Sequence, residues 1–365
     1  MVLVRDVLAD VERLAPPSMA FGFDRIGLLI GDPALAVTGV MVTLDVSLGC
    51  ISEAQAKGCN VIVAHHPLIW DPVKRLVAGS SVEDRVMACI RAGISVIAAH
   101  TNWDCAPGGI NDVLASLLGL EGVTAFGSSN PQSRLKLTVF VPAEGRDRLV
   151  DALSAAGAGV IGNYVRCAFW GSGVGTFRPV AGASPVIGSV GSVQEVTEDR
   201  VEMMLEESAA PAVLAALRAA HPYEEPAFDL VAVRGNAGQP AGRIGVLPSP
   251  LSAAEFLAVL NDRLQTRTEM WVPRAGGPIS RVAVTGGAAS DEWAAARAAG
   301  ADAFVTGEVP HHLGMVASDA GMMIAASGHF ATEHPGMMRM ADLLSVGVPV
   351  HRYEPEPGVE GRPLI

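Results

Sequence analysis

The sequence lacks a basic cluster, a disulfide framework and a long apolar run, and each absence excludes a class of protein. Its 365 residues carry 26 basic and 38 acidic side chains, and the net charge of −12 argues against a nucleic-acid or anionic-membrane surface. The five cysteines are odd in number and have no Cys-x-x-Cys spacing, which favours a reducing compartment. No stretch reaches the roughly 18 apolar residues of a membrane span, and the acidic N-terminal region is unlike a signal peptide. With half of its residues hydrophobic, we expect a globular cytoplasmic protein.

A pattern of strand, helix, glycine and strand occurs twice at one spacing. Val40 and Val61 begin two apolar runs 21 residues apart (61 − 40), and Val282 and Ala303 begin two others at the same interval (303 − 282). Strands that alternate with helices at this rhythm predict parallel sheets covered on both faces. We therefore predict an α/β fold with two similar three-layer lobes, in residues 1–131 and 238–365.

The residues between these lobes follow a different pattern, which predicts an inserted domain over residues 132–237. The predicted strands and helices of the insert have the order β-α-β, β-α-β, which is typical of a ferredoxin-like α+β domain. They cover residues 135–141 (strand), 145–157 (helix), 202–206 (strand), 211–220 (helix) and 228–233 (strand). We interpret Gly171 to Gly175 as a tight turn, because the spacing of its glycines does not fit a dinucleotide-binding loop.

Two adjacent histidines, His65 and His66, end one apolar strand of the first lobe. The carboxyl ends of strands in open α/β sheets are where ligands usually bind, and imidazole is the commonest side-chain ligand of transition metals. By itself the pair allows two interpretations, a metal site or a structural pair at the edge of a sheet.

Further candidate ligands follow predicted strands of both lobes. Asp104 follows the next strand of the first lobe, and His329 and Glu333 would lie one turn apart on a helix of the second lobe, a spacing that also occurs by chance. Together with the His pair, these side chains suit two metal ions that share a bridging carboxylate, for which Glu333 is our candidate. The mixed nitrogen and oxygen donors favour Zn, Fe, Mn or Co over Ca or Mg.

Other side chains near this set have different expected roles. We expect His100 to lie beside the metals or to face a substrate, and Asp45 to orient a ligand. Gly286-Gly287 either holds a phosphate or forms an ordinary turn, which we rank first. His221-Pro-Tyr-Glu-Glu225 is interpreted first as a structural turn and second as an intersubunit contact, and His311-His312 as lining of the cleft.

A set of motifs occurs in order along nearly the whole chain: LAPPSMA, IGLLIGDP, VTLDVS, AHHPLIW, HTNWD, GVGTFRP, HPYEEPAFD, VTGGAASD, ADAFVTGE and SGHFATE. In these motifs the chain resembles the NIF3-like family of dinuclear-metal proteins, also described as GTP cyclohydrolase I type 2 homologues. The chain departs from the usual family pattern at Phe23-Asp24-Arg25, where Trp-Asp-Asn is usual, and at Gly307-Glu308, where Gly-Asp is usual.

The resemblance implies a ligand set, an assembly and a domain type. The implied ligands of two divalent metal ions are His65, His66, Asp104, His329 and Glu333. The implied assembly is a ring-shaped homohexamer built from trimers, and the implied insert is similar to the trimeric signalling protein PII.

Two hypotheses of function follow. In the first, the protein is a metal-dependent hydrolase of a nucleotide or another phosphorylated small molecule, in which the metals activate water and His100 or Glu308 moves protons. In the second, it is a non-enzymatic metal-binding assembly whose insert senses a small molecule or gates the ring. The sequence determines neither the metal nor the substrate.

Overall fold

A computed structural model describes residues 1–79, 81–127, 131–161, 164–237 and 240–364. Two compact units make up the chain: unit 1 comprises Met1–Asn130 and Gly238–Ile365, and unit 2 comprises Pro131–Ala237. Within the described ranges, no helix is long and apolar enough to cross a membrane.

The strands and helices alternate through most of unit 1. The strands of the chain are β1 (Gly27–Ile30), β2 (Val40–Thr43), β3 (Val61–Ala64), β4 (Ser95–Ala98), β5 (Glu121–Phe126), β6 (Pro131–Pro142), β7 (Ala168–Phe177), β8 (Gln194–Glu206), β9 (Phe228–Ala237), β10 (Gly242–Leu251), β11 (Glu269–Trp271), β12 (Ile279–Val284), β13 (Ala303–Thr306), β14 (Met323–Ala326) and β15 (Val350–Arg352). The helices are α1 (Val4–Leu14), α2 (Leu48–Ala56), α3 (Ser81–Ala92), α4 (Thr101–Cys105), α5 (Ile110–Leu117), α6 (Ala143–Ala155), α7 (Ala210–Ala220), α8 (Ala253–Leu264), α9 (Trp293–Ala298), α10 (His311–Asp319) and α11 (His329–Leu343).

The first sheet of unit 1 has the order β1-β4-β3-β2-β15 and is parallel except for β1. Its central strands are short and entirely buried, as expected of a sheet with both faces covered. On one face, Val7 and Val11 of α1 share a core with Met337 and Met340 of α11. Helices α2 and α3 cover the other face, so the predicted three-layer arrangement is confirmed.

The second sheet has the order β11-β14-β13-β12-β10-β5, with parallel β12, β13 and β14 at its centre. Helices α5 and α8 pack on one face, and α9 and α10 pack on the other. Residues that are 21 positions apart in the sequence repeat are paired on adjacent parallel strands: Val40 pairs with Val61 in the first sheet, and Val282 pairs with Ala303 in the second. The prediction of two similar α/β lobes is confirmed.

Each sheet of unit 1 takes one edge strand from the other half of the chain, so neither sheet is built from residues 1–131 or 238–365 alone. Strand β5 pairs with β10 in the second sheet, and β15 pairs with β2 in the first. Unpaired strand edges present backbone donors and acceptors that need partners, and each half of unit 1 supplies a partner to the other.

Unit 2 is a ferredoxin-like domain, as predicted. Its strands form an antiparallel sheet in the order β7-β8-β6-β9, and α6 and α7 share an apolar core with it. The interpretation of Gly171 to Gly175 as a tight turn is wrong, because these residues lie in β7 and pair with β8 from Arg200 to Val196. Pairing with a neighbouring strand holds the glycines extended although glycine has a low strand propensity.

Candidate metal centre

The carboxyl ends of the parallel strands bring the predicted ligands to one place in unit 1. His65 and His66 directly follow β3, and Asp104 lies on α4 just after β4. His329 begins α11, which follows β14, and the helix places Glu333 one turn later on the same face, as the spacing predicted. Both sheets therefore contribute side chains to the same cluster.

The carboxylate of Glu333 lies between two groups of donor atoms. Its Oε2 is 3.0 Å from His66 Nε2 and 3.0 Å from His329 Nε2. Its Oε1 is 3.8 Å from His65 Nε2, which in turn is 3.6 Å from Asp104 Oδ1. In each group, one donor atom per residue lies within 4.8 Å of the others. One carboxylate thus faces two separate sets of candidate ligands with its two oxygens.

Each of the three imidazoles is oriented through its Nδ1 atom. The partner is the Ala99 carbonyl for His65 (2.9 Å), Asp45 for His66 (2.8 Å) and Glu308 for His329 (2.7 Å). An oxygen on Nδ1 fixes the tautomer and directs Nε2 inward, as is usual for metal-binding histidines. Asp45 therefore has the orienting position expected of it. Glu308, for which we predicted proton transfer, is bonded to His329 and holds this ring.

The charges and unpaired atoms of the cluster fit a cation. His65 Nε2 and Asp104 Oδ1 are buried without a hydrogen-bond partner among the described residues, and such atoms are costly unless a ligand satisfies them. Burial raises the pKa of Asp104 to about 6. Burial opposes the charged form of His66, but Asp45 and Glu333 outweigh it and raise the pKa of His66 to about 10. The nitrogen and oxygen donors are those that Zn, Fe, Mn and Co accept.

The glycine turn after β12 allows Glu333 to approach. Gly287 has a φ of +66°, and a Cβ atom there would lie 2.1 Å from Glu333 Oε1. The amide of Gly286 donates to Asn111 Oδ1, and that of Gly287 donates to Thr332 Oγ1. These bonds agree with the ordinary turn that we ranked first, because both amides already have partners within the protein.

His100 lies beside the cluster and is held by a residue that sequence reasoning did not assign. Its ring centroid is 5.1 Å from that of His65, and its Nδ1 is 2.8 Å from Asp24 Oδ1. Burial raises the pKa of Asp24, but hydrogen bonds from His100 and Thr101 outweigh this and lower it to about 2. Asp24 is the one position of Phe23-Asp24-Arg25 that keeps the usual residue of the Trp-Asp-Asn pattern, and this agreement was the available signal.

A cavity of about 600 Å³ opens beside His66 and carries charged groups on its wall. Its basic lining residues are Lys74, Arg75 and Arg85, and its acidic ones are Asp45, Asp71 and Glu83. Lys74 and Arg75 form no ion pair with any residue that the structure describes. The cavity therefore presents cationic groups next to the candidate ligands.

The remaining histidine motifs lie outside this cluster. In unit 2, His221 Nδ1 accepts a hydrogen bond from the Tyr223 amide (3.1 Å), so Nε2 carries the proton that is donated to the Phe140 carbonyl (2.8 Å). These bonds agree with a structural turn. His311 and His312 are exposed at the start of α10, and neither belongs to a candidate metal group among the described residues.

Comparison with known proteins gives matches over nearly the whole chain. The model of the family Duf34/NIF3 (NGG1p interacting factor 3) matches residues 2–356. A "GTP cyclohydrolase 1 type 2 homolog" of Bacillus subtilis (strain 168) is 37% identical over 328 residues, which are 90% of this chain and 88% of the relative. The protein of that name from Mycobacterium tuberculosis is 38% identical over 351 residues, 94% of this chain and 91% of the relative.

Solved structures show the same architecture. The crystal structure of a Bacillus cereus protein related to NIF3 has a TM-score of 0.63 and 32% identity, and the match covers 97% of each chain. A structure of Staphylococcus aureus hypothetical protein SA1388 has a TM-score of 0.64 and 25% identity, with 98% of each chain covered. On the family match and on relatives of this identity, the chain belongs to the Duf34/NIF3 family.

Proposed function

We propose that unit 1 contains the dinuclear metal centre of a hydrolase that acts on a nucleotide or another phosphorylated small molecule. The observation that carries the proposal is the position of Glu333, whose two carboxylate oxygens face two separate groups of donor atoms. A bridging carboxylate is the usual feature of two-metal hydrolytic sites. Homology to proteins named GTP cyclohydrolase 1 type 2 homologues agrees with a nucleotide substrate.

The proposal gives each side chain a role. His65 and Asp104 would hold one divalent ion, His66 and His329 the other, and Glu333 both. When bound, such ions polarise a substrate oxygen and lower the pKa of water. Asp45 and Glu308 keep the imidazoles of His66 and His329 in the required tautomer.

His100 is the candidate for proton transfer. Its Nδ1 is bonded to Asp24, and one of its ring nitrogens lies within 4.8 Å of the ligand atoms of His65 and His66. A ring held at Nδ1 by a carboxylate keeps Nε2 as the atom that can exchange a proton with a substrate. Glu308 stays a weaker candidate for this role, because it is bonded to His329.

The cavity beside His66 supports a phosphorylated substrate. Lys74, Arg75 and Arg85 line it together with His66, and Arg and Lys are the side chains that bind phosphate oxygens. The cavity also carries acidic groups, but Lys74 and Arg75 have no ion-pair partner among the described residues.

Metal content and turnover of purified protein test the proposal together. We expect about two divalent ions per chain by elemental analysis, and hydrolysis of at least one member of a nucleotide and phosphoester panel. Glu333→Gln should lose metal and turnover, whereas His312→Asn, an exposed histidine outside the cluster, should retain both. Two ions per chain with no turnover on the panel would refute the hydrolase activity and still support the metal centre.

The alternative is a non-enzymatic metal-binding assembly in which unit 2 senses a small molecule or gates a ring. One observation favours it: unit 2 is a separate compact unit with a cavity of its own, and its described residues contribute nothing to the candidate metal groups. Metal content that stays tight and saturated without any turnover would favour this alternative.

We also propose that the protein assembles as a homohexamer of stacked trimers. The support is that β7 is an edge strand of unit 2 and exposes large apolar side chains, with Phe169 71% and Val174 67% exposed. Exposed apolar edges are typical of surfaces that pair with another chain. Light scattering after size-exclusion chromatography should give a mass of six chains, and a monomeric mass would refute the assembly.

A further inference from the structure

Unit 2 contains a cavity whose lining is unlike that of the metal centre. The cavity has a volume of about 420 Å³, which is in the range of small-molecule sites. Its apolar wall is formed by Phe140, Phe177, Tyr223, Val186 and Ile187. Two sequence motifs that the candidate metal centre does not use, GVGTFRP and HPYEEPAFD, meet at this cavity.

A loop closes one side of the cavity and is tied down by hydrogen bonds. The backbone of Gly191 donates to the Pro179 carbonyl (2.8 Å), and that of Ser184 donates to Glu224 Oε1 (2.9 Å). The carboxylate of Glu224 is therefore engaged in holding the loop. The cavity has a defined wall on this side because of these bonds.

The acidic group that remains for a ligand is Glu198 on β8. Among the charged residues of the lining, Glu198 is half-buried, whereas Arg178, Glu224 and Glu225 are exposed. No Lys, Arg or His of the described chain forms an ion pair with Glu198. A partly buried carboxylate without a cationic partner favours a cation in the space beside it.

The aromatic lining adds to this preference. The rings of Phe177 and Tyr223 are 6.2 Å apart, and the buried Tyr223 Oη lies close to the carboxylate of Glu198. Burial, a hydrogen bond to Glu198 and the negative charges of Glu198 and Glu144 raise the pKa of Tyr223 to about 12, so the phenol stays neutral. Aromatic faces attract ammonium groups, and a phenol oxygen that donates its O–H to a carboxylate can still accept a hydrogen bond from an ammonium group.

We propose that the cavity of unit 2 binds a small organic ammonium ion with an apolar or aromatic body, with its charge against Glu198 and its body against Phe140 and Phe177. Such a site is independent of the metal centre. It gives unit 2 a ligand of defined chemistry whether or not unit 1 is a hydrolase.

Two probes of equal shape and opposite charge test the proposal on the full-length protein. We expect 2-phenylethylamine to bind about tenfold or more tightly than 3-phenylpropionate by calorimetry, because the carboxylate favours one charge and rejects the other. Glu198→Gln should remove this difference. The unfolding midpoint in urea verifies that the variant is folded.

Two glycine variants on β7 test whether the position of the Glu198 carboxylate matters for binding in addition to its charge. A Cβ atom on Gly175 would lie 2.1 Å from Glu198 Oε2, whereas one on Gly173 meets nothing within 4 Å. Gly175→Ala should therefore displace the carboxylate and weaken binding of 2-phenylethylamine, and Gly173→Ala should bind like the wild type.

Three results overturn the proposal: no binding of either probe, equal binding of both, or wild-type binding by Glu198→Gln. If Glu198→Gln loses binding but Gly175→Ala keeps it, the charge of Glu198 is supported and the required position of its carboxylate is refuted.

Discussion

Gly287 gives the sharpest test of the metal centre, because a single methyl group there would occupy the space of a candidate ligand. The added Cβ would lie 2.1 Å from Glu333 Oε1, against an ordinary contact of at least 3.4 Å, so the oxygen must withdraw by 1.3 Å (3.4 − 2.1). Ligand positions in metal sites tolerate deviations of about 0.2 Å. The turn cannot yield easily, since the Gly287 carbonyl accepts hydrogen bonds from the amides of Gly307 (2.8 Å) and Glu308 (3.1 Å).

We expect Gly287→Ala to weaken metal binding by at least the 10–100-fold that is roughly typical of changes around the ligands. The variant also pays about 1–2 kcal/mol of stability, because alanine is strained at a φ of +66°. Gly300→Ala is the matched control: its φ is +82° and nothing lies within 4 Å of the added Cβ. It should show a similar backbone cost and wild-type metal affinity.

Competition with a metal indicator measures the affinity, and urea unfolding measures the stability. If Gly287→Ala and Gly300→Ala bind metal equally well, the space beside Glu333 Oε1 is not needed for binding. The assignment of Glu333 as the bridging ligand would then be refuted.

Three other predictions concern stability and phosphate. Trp103→Phe should destabilise unit 1 by about 1–3 kcal/mol, measured by urea unfolding, because it removes a fully buried indole that donates to the Gly336 carbonyl at 3.1 Å. A loss of stability below a few tenths of a kcal/mol would contradict this prediction. Burial lowers the pKa of His221 below 6.5, so the contribution of His221 to stability is complete above pH 6.5 and is lost as the pH falls through the folded-state pKa. His221→Asn should therefore flatten the pH dependence of the free energy of unfolding. An unchanged pH profile in this variant would exclude His221 as the source of the pH dependence. In metal-loaded protein, Lys74→Ala should weaken inorganic phosphate binding about threefold to tenfold. The control variant Lys57→Ala, which breaks an exposed ion pair with Glu53, should leave phosphate binding unchanged. Equal effects of the two variants would argue against phosphate binding by Lys74.

Local spacing in the sequence was sufficient to predict the repeated lobes. The interval of 21 residues between Val40 and Val61 returns between Val282 and Ala303, and both pairs are neighbours in register. The spacing of His329 and Glu333 likewise predicted one helical face, because a helix relates residues four apart by its own geometry. These predictions succeeded because they depend on contacts within one element or between adjacent ones.

Features that depend on long-range pairing were not predictable in this way. The exchange of β5 and β15 between the sheets depends on which edge is free, and the amino-acid pattern of a strand does not encode its partner. The contact between Asp24 and His100 joins residues 76 positions apart. The basic residues of the cavity were not recognised as one group, because Arg85 lies ten residues from Arg75 in sequence (85 − 75) and reaches the same cavity only after folding.

The position of α11 explains why the candidate metal centre needs both halves of unit 1. The helix begins after β14 of the second sheet, yet Met337 and Met340 pack in the core of the first sheet. Glu333 lies between these two attachments and contacts His66, which follows β3 of the first sheet. A cation bound by Glu333 and His66 would therefore link the two sheets, and its binding energy would add to the folding stability of unit 1. The insertion of unit 2 between the halves leaves this linkage intact, because unit 2 contributes no described residue to the candidate metal groups.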